Sequence, residues 1–304
     1  MVLSLVALTV LAGAALFGVY FVDHLIGGIH RVHVHSLAPK PAGGSGLTIL
    51  LTGAQTIPAG KKTVVFKESG LIMLLHIDAS KEAGGVVSIP PQIEVAVPGH
   101  GQMQLWKALV VGGPDLLVQA VHSLTGVQIS HYAQVDFRHV ADTINAIGGV
   151  TVMLPEKTAS SGYVLHKGAN QLNGTTAVYY VRQPSLTEEG RVLRQQSLVR
   201  AVLDKLAAEQ LLTKPVIAVR VLSALTSMLT VDGTFTTAEV RQLARELGSL
   251  AGRDGTFVTA PVRQSKGALR LVPPSGQLWS AITHGSIAAF AREYPATVTP
   301  AAPR

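Results

Sequence analysis

The chain has 304 residues, 47% hydrophobic but only 5% aromatic, so its core rests on Ala, Val, Leu and Ile, and its composition excludes a disordered protein. Lys and Arg outnumber Asp and Glu by 25 to 18, and the net charge of +7 suits membrane headgroups, a phosphorylated ligand or nucleic acid. Nucleic acid fits least, because no basic run is interleaved with aromatics and no zinc-finger or RNA-binding motif occurs; the absence of cysteine excludes disulfides and thiol nucleophiles.

Val2 to Val22 carry no charge, and Asp23 ends the run. As a helix this stretch reaches roughly 30 Å, enough to cross a bilayer's hydrocarbon core. Residues 1–24 are therefore expected to be an uncleaved transmembrane anchor. The rival, a cleaved signal peptide ending at "AGA" (Ala12 to Ala14), lacks a basic leader, and the apolar run continues past that site. The nearest cations, Arg31 and Lys40, follow the span, which by the positive-inside rule would put the body in the cytoplasm. Residues 25–46 read as a linker ending in Pro, Gly and Ser. Its His30, His33 and His35 invite a metal, but a loose linker cannot hold three ligands in one geometry, and no metal is assigned.

From residue 47 to 286 strands and helices alternate. Leu47–Gly53, Leu71–Asp78 and Gly84–Pro90 are short apolar runs stopped by Gly, Asp or Pro, as buried strands are. His76, inside the second, is expected to be a hydrogen-bonded core histidine. Gly112–Gly126 reads as a helix with Pro and Asp at its start, His131–Phe137 as a strand, Arg138–Gly149 as a helix and Val150–Pro155 as a strand. A long helix is expected over Glu189–Leu212, and "TTAEV" opens another with a Thr236–Glu239 capping signal. Thr256–Val262 supplies a late strand, and residues 287–304 read as a loose Pro/Ala-rich tail. The pattern predicts one α/β domain, a central mixed sheet flanked by helices on both faces.

"YYVRQ…EEGRVLRQQ" puts Arg191 and Arg194 one turn apart near a helix start, with Arg182 just upstream. Arginine's planar fork suits bidentate contact with phosphate oxygens, and a helix N-terminus favours anions. Arg182 could converge on them from a loop, giving the geometry a pyrophosphate needs. Spacing equally allows a bland surface pair between Arg191 and Glu188 or Glu189.

The same string resembles the YVRxR…GDxxRxxRQQ signature of the LytR–CpsA–Psr family, also called cell-envelope-related transcriptional attenuators. "TILLTG", "IMLLHID", "VVSIP", "GGPDLLVQAVHSLTGVQISHYAQVDF", "AIGGVTVMLP" and "GYVLHKGANQLNGTTAVYYVR" are similar to family motifs in order and spacing. The resemblance implies an anchored extracytoplasmic domain, against the orientation that Arg31 and Lys40 suggest. It also implies handling of a polyprenyl-pyrophosphate-linked glycopolymer, which active members transfer onto peptidoglycan with magnesium held by acidic residues. Arg182, Arg191, Arg194, Gln195 and Gln196 stand where the family has its Arg and Gln residues. The first four are expected to bind pyrophosphate.

Other family positions are changed. Gln55 and Gly70 replace two acids, Glu68 an arginine, Pro91 and Gln92 an Arg–Asp pair, Gln104 a lysine, and Pro184 the second arginine of YVRxR; Glu188 stands for Asp. Losing one charge partner of a transition state can cost a factor of about a hundred to a thousand in rate. The resulting expectation is a degenerate member that binds the lipid-linked polymer with no cofactor. An active transferase and a structural envelope protein are the alternatives. No helix-turn-helix, P-loop, G-x-S-x-G or H-E-x-x-H motif supports another class.

Overall fold

The computed structural model describes residues 27–39, 46–54, 56–59, 62–65, 70–78, 84–160, 162–183, 186–208, 215–240, 242–243, 256–265 and 267–299. Seven strands make the central sheet: β1 (His30–Val32), β2 (Leu47–Ala54), β3 (Leu71–Ile77), β4 (Gly84–Ser88), β5 (His131–Asp136), β6 (Leu229–Asp232) and β7 (Thr256–Thr259). Their order is β1-β6-β5-β2-β3-β4-β7. The pairs β1–β6, β5–β2 and β4–β7 are parallel and the other three antiparallel, so the sheet is mixed, as the alternating pattern predicts.

Side chains alternate across this sheet with period two. Leu50, Ile72, Leu74 and Val87 face one side, against α1 (Leu105–Thr125), α6 (Ser275–Thr283) and α7 (Ile287–Glu293). Leu71, Met73, Val86 and Phe257 face the other, where α4 (Glu188–Ala208) lays down Val199 and Leu203. A second stripe of α4, containing Leu198, Val202 and Leu206, packs into a separate apolar cluster. That cluster joins α2 (Val140–Ala146), α3 (Gly174–Arg182), α5 (Pro215–Met228) and the hairpin of strands Val150–Leu154 and Gly168–Leu172. Helix α4 is thus a wedge with two adjoining apolar faces.

Three local expectations are revised, and one falls partly outside the described residues. The stretch read as linker contributes β1, which adds to the sheet edge through Thr230–Asp232. The helix expected from Gly112 begins at Leu105; Gly113, at φ 68° and ψ −163°, lets the chain kink and resume at Pro114. The long helix ends its described course at Ala208, and the residues after it up to 214 lie outside the described set. The tail read as loose forms α7 and then docks as far as Thr299, whose N–H donates to the Phe257 carbonyl at 2.8 Å. The Thr236–Glu239 capping signal is present: the Thr236 N–H donates to the Glu239 carboxylate at 2.9 Å, and the Glu239 N–H to the Thr236 hydroxyl at 3.3 Å. The anchor expected over residues 1–24 lies outside the described residues, among which no helix is long and apolar enough to cross a membrane.

His76 is a core histidine, as expected, but only its Nδ1 is hydrogen-bonded, and its buried Nε2 has no hydrogen-bond partner. It is 3% exposed, its Nδ1 is 2.9 Å from the Thr48 hydroxyl and its Nε2 3.4 Å from Asp78. Burial holds its pKa below the ordinary value, with Asp78 pulling the other way. The folded chain therefore binds that proton less readily than the unfolded chain, whose histidine titrates near about 6.5. Stability from this site is present at neutral pH and falls as the pH drops through about 6.5 toward 5. Urea midpoints measured between pH 7.5 and 5 should show this decline, and His76→Gln should flatten it.

Candidate functional site

At one end of the sheet the last residues of β2, the first of β3 and the last of β5 come together. Ala54 pairs in register with Asp136, and Gly53 with Leu71. Just past β5, the Phe137 ring lies against Gly53 so closely that a Cβ there would come within 2.2 Å of its Cζ. Only glycine leaves room for the ring. Over Phe137 sits the Arg182 guanidinium, its Cζ 5.4 Å from the ring centroid.

Arg182 is not on a loop, as the sequence suggested; it is the last residue of α3. Asn173 and Thr176 start that helix with a reciprocal capping box, at 3.0 and 2.9 Å. The helix stops as Gln183 turns extended, at ψ 125°, in front of Pro184, a residue that disfavours a helical predecessor. The stop leaves Arg182 exposed and turns the Gln183 amide inward, where it is buried.

Gln183 and its neighbours hold Arg194. The Nη1 of Arg194 donates to the Gln183 Oε1 at 2.7 Å and to the Tyr180 carbonyl at 3.2 Å, and its Cζ lies 5.0 Å from the Tyr180 ring. Gln183 in turn donates from Nε2 to the Thr158 hydroxyl at 2.6 Å. Burial pulls the Arg194 pKa below its ordinary value, opposed by Tyr180, Tyr179 and Glu156; a guanidinium stays charged regardless. Burial also pushes the Tyr180 hydroxyl up to about 12, against the nearby Ser197 hydroxyl and the Arg194 charge. Both of these Arg194 bonds go through one nitrogen to neutral oxygens. Among the described residues no carboxylate forms an ion pair with Arg182 or Arg194.

Arg191 lies three residues before Arg194 on α4 and is half-buried. Gln195 is buried, and its Nε2 stands 3.2 Å from where a Cβ on Gly70 would be. Gln196 belongs elsewhere. It is fully buried and donates to the Ser88 hydroxyl and to the Val258 carbonyl, fastening α4 to β4 and β7. The expected pyrophosphate set is therefore divided between the end of α3 and the first turns of α4, with Gln195 directed toward the sheet end.

The described residues include only part of the positions at which the family resemblance puts magnesium ligands. At Gly70, where an acid would stand, the neighbouring group is an amide N–H donor, and no cluster of three His, Cys, Asp or Glu occurs among the described residues. The carboxylate beside the end of β2, Asp136, is gripped by Arg138, with Nε at 3.1 and 2.9 Å from its two oxygens. Gln104, in the family's lysine position, accepts from the Trp106 indole at 3.0 Å. Gln55 and Glu68 lie outside the described residues. Sequence reading missed Phe137, Asp136, Arg138, Tyr180 and Gln183. The aromatic pair in "YYVRQ" was the available signal, since a cation next to adjacent tyrosines invites stacking.

Comparison with known proteins places these features. The chain is 33% identical over 172 residues to a probable cell wall biosynthesis protein, LcpB, of Corynebacterium glutamicum, covering 55% of this chain and 40% of that one. It is 31% identical over 155 residues to a polyisoprenyl-teichoic acid–peptidoglycan teichoic acid transferase, TagU, of Oceanobacillus iheyensis, covering 48% of each. The matched parts are thus less than half the length of these two relatives. The crystal structure of Bacillus subtilis TagV shares the fold with a TM-score of 0.66 at 18% identity, over 81% of this chain and 99% of that one. The LytR_cpsA_psr family model matches residues 30–269. That match runs from β1 through β7, the arginine-bearing helices included, and the chain belongs to the LytR–CpsA–Psr family.

Proposed function

We propose that this protein binds a polyprenyl-pyrophosphate-linked glycopolymer during cell-envelope assembly, and that it does so without magnesium and with little or no transfer activity. Residues 1–24 anchor it in the membrane, with the folded domain on the extracytoplasmic side, where the lipid carrier and peptidoglycan meet. The similarity to TagU, a polyisoprenyl-teichoic acid–peptidoglycan teichoic acid transferase, supports this substrate class.

The observation that carries the reading is Arg194. A half-buried guanidinium held through one nitrogen by neutral oxygens, with Glu156 acting on it only from beyond ion-pair distance, has lost part of its hydration without gaining a counter-charge in contact. A pyrophosphate would supply that charge and use the fork's remaining donors. Arg191 and Arg182 add positive charge on either side, and the Gln195 amide presents a further donor near the sheet end. A purely structural role would instead pair Arg182 and Arg194 with acids. Where active members neutralise the diphosphate with a metal, this site has an amide beside Gly70, so binding rests on the arginines.

The test is titration of the full-length protein in detergent with farnesyl pyrophosphate, with and without EDTA. The expected affinity is the same in both, and Gln55→Asp combined with Gly70→Asp should make it magnesium-dependent. A Cβ at Gly70 meets only the tip of the Gln195 side chain, so a carboxylate can be accommodated there with a shift of a few tenths of an ångström. If wild-type binding collapsed in EDTA, or if magnesium drove polymer release from a lipid-linked donor, the protein would be a working transferase.

A further inference from the structure

Beside the arginine cluster lies a pair of aromatic rings that the site described above does not use. Tyr163, in the hairpin of strands Thr158–Ser160 and Tyr163–Leu165, exposes 37% of its surface. Its ring lies 4.9 Å, centroid to centroid, from that of Tyr179 on α3, tilted by 32°. The residue after Tyr179 is Tyr180, whose carbonyl and ring hold Arg194. The hairpin is tied to the same frame, because Gln183 bonds both Thr158 and Arg194. Tyr179 and Glu156 both act on the Arg194 charge, so a phenol and a carboxylate stand near the guanidinium.

Taking the arginines as the pyrophosphate site, we infer that the Tyr163–Tyr179 pair is a carbohydrate platform for a sugar held next to the pyrophosphate. A pyranose has an apolar face of C–H groups and a rim of hydroxyls. The C–H face is attracted to the negative face of an aromatic ring, and the rim needs donors and acceptors. Tyrosine supplies such a surface at low entropic cost, having only two side-chain torsions, and here the second ring holds the first in place. Glu156, exposed beside Arg194, accepts from the hydroxyl rim. A lipid surface fits this patch less well, since Glu156 would repel anionic headgroups. The sugar can belong to the lipid-linked donor or to the peptidoglycan glycan, and the ligand chemistry is the same for both.

Calorimetry on the full-length protein in detergent separates these sources with three probes: geranyl pyrophosphate, geranyl-pyrophosphoryl-N-acetylglucosamine and chitotetraose. Wild type should bind the sugar-bearing lipid about tenfold more tightly than the sugar-free one. Tyr163→Ala should abolish that preference without changing geranyl pyrophosphate affinity, and Tyr163→Phe should keep it. Loss of chitotetraose binding in Tyr163→Ala, with the lipid preference intact, assigns the platform to the acceptor glycan. If neither saccharide response depends on Tyr163, the platform is overturned. It is equally overturned if Tyr163→Ala weakens only binding to phosphatidylglycerol vesicles. Wild type that ignores geranyl pyrophosphate yet binds chitotetraose through Tyr163 refutes the arginine reading and leaves the platform standing.

Discussion

Arg194→Ala is expected to weaken farnesyl pyrophosphate binding by about a hundredfold, the largest single loss at the site. Removing a desolvated cation from charge-assisted bonds to a ligand costs about 2–4 kcal/mol, and about 1.4 kcal/mol is a factor of ten. Arg182→Ala should cost much less, on the order of fivefold, because Arg182 is exposed over Phe137 and its charge is screened by solvent. Arg194→Lys should recover little of the loss. An ammonium cannot reach the Tyr180 carbonyl and the Gln183 amide while offering a planar pair of donors to phosphate. Thermal unfolding distinguishes this loss from a loss of fold, since Arg194 lies on an already anchored helix. Affinity in Arg194→Ala equal to that of wild type would remove the anion-binding assignment.

The adjacent glutamines should separate stability from binding. Gln196→Ala is expected to lower the unfolding free energy by about 3 kcal/mol, a large share of the roughly 5–15 kcal/mol of an ordinary domain. Its side chain is fully buried and serves four groups: the Ser88 hydroxyl, the Val258 carbonyl at 3.0 Å, the Thr259 hydroxyl at 3.4 Å and the Thr299 hydroxyl. Truncation leaves several of them buried without partners, at about 1–3 kcal/mol for each unsatisfied group. Gln195→Ala should cost about 1 kcal/mol of stability and instead weaken pyrophosphate binding. Urea unfolding of the two variants decides the matter, and equal losses would mean that both glutamines serve packing alone.

The sheet was legible in the sequence because its chemistry is local. Leu71–Ile77 and Leu47–Ala54 are mostly apolar and buried on both faces, with Thr48, Thr52 and His76 as the polar exceptions, as strands between two helical layers are. The Thr236–Glu239 cap was legible for the same reason, since both partners lie within one turn. β1 was hidden: a three-residue edge strand with an exposed histidine carries little apolar signal. The kink in α1 was read as a beginning, because Gly-Gly-Pro marks a helix start as readily as a bend. Short polar strands such as Thr158–Ser160 have no period to read, so the hairpin bearing Tyr163 could not be anticipated.

Within the site, the sequence alone supplied the residue types: three arginines with paired glutamines in a family signature, and Gln and Gly where acids were expected. It could not decide which neighbour each would meet. Successive residues on a helix point about 100° apart, so Gln195 turns toward Gly70 while Gln196 is sealed against β4 and β7. The same limit held for the cations. Whether Arg194 would be quenched by an acid or left open to an anion depended on where α3 ended and which carbonyl it offered. Local pattern determines which elements form and which groups are available, whereas the charge environment depends on contacts between segments far apart in the chain, set only when α3, α4 and the sheet pack together.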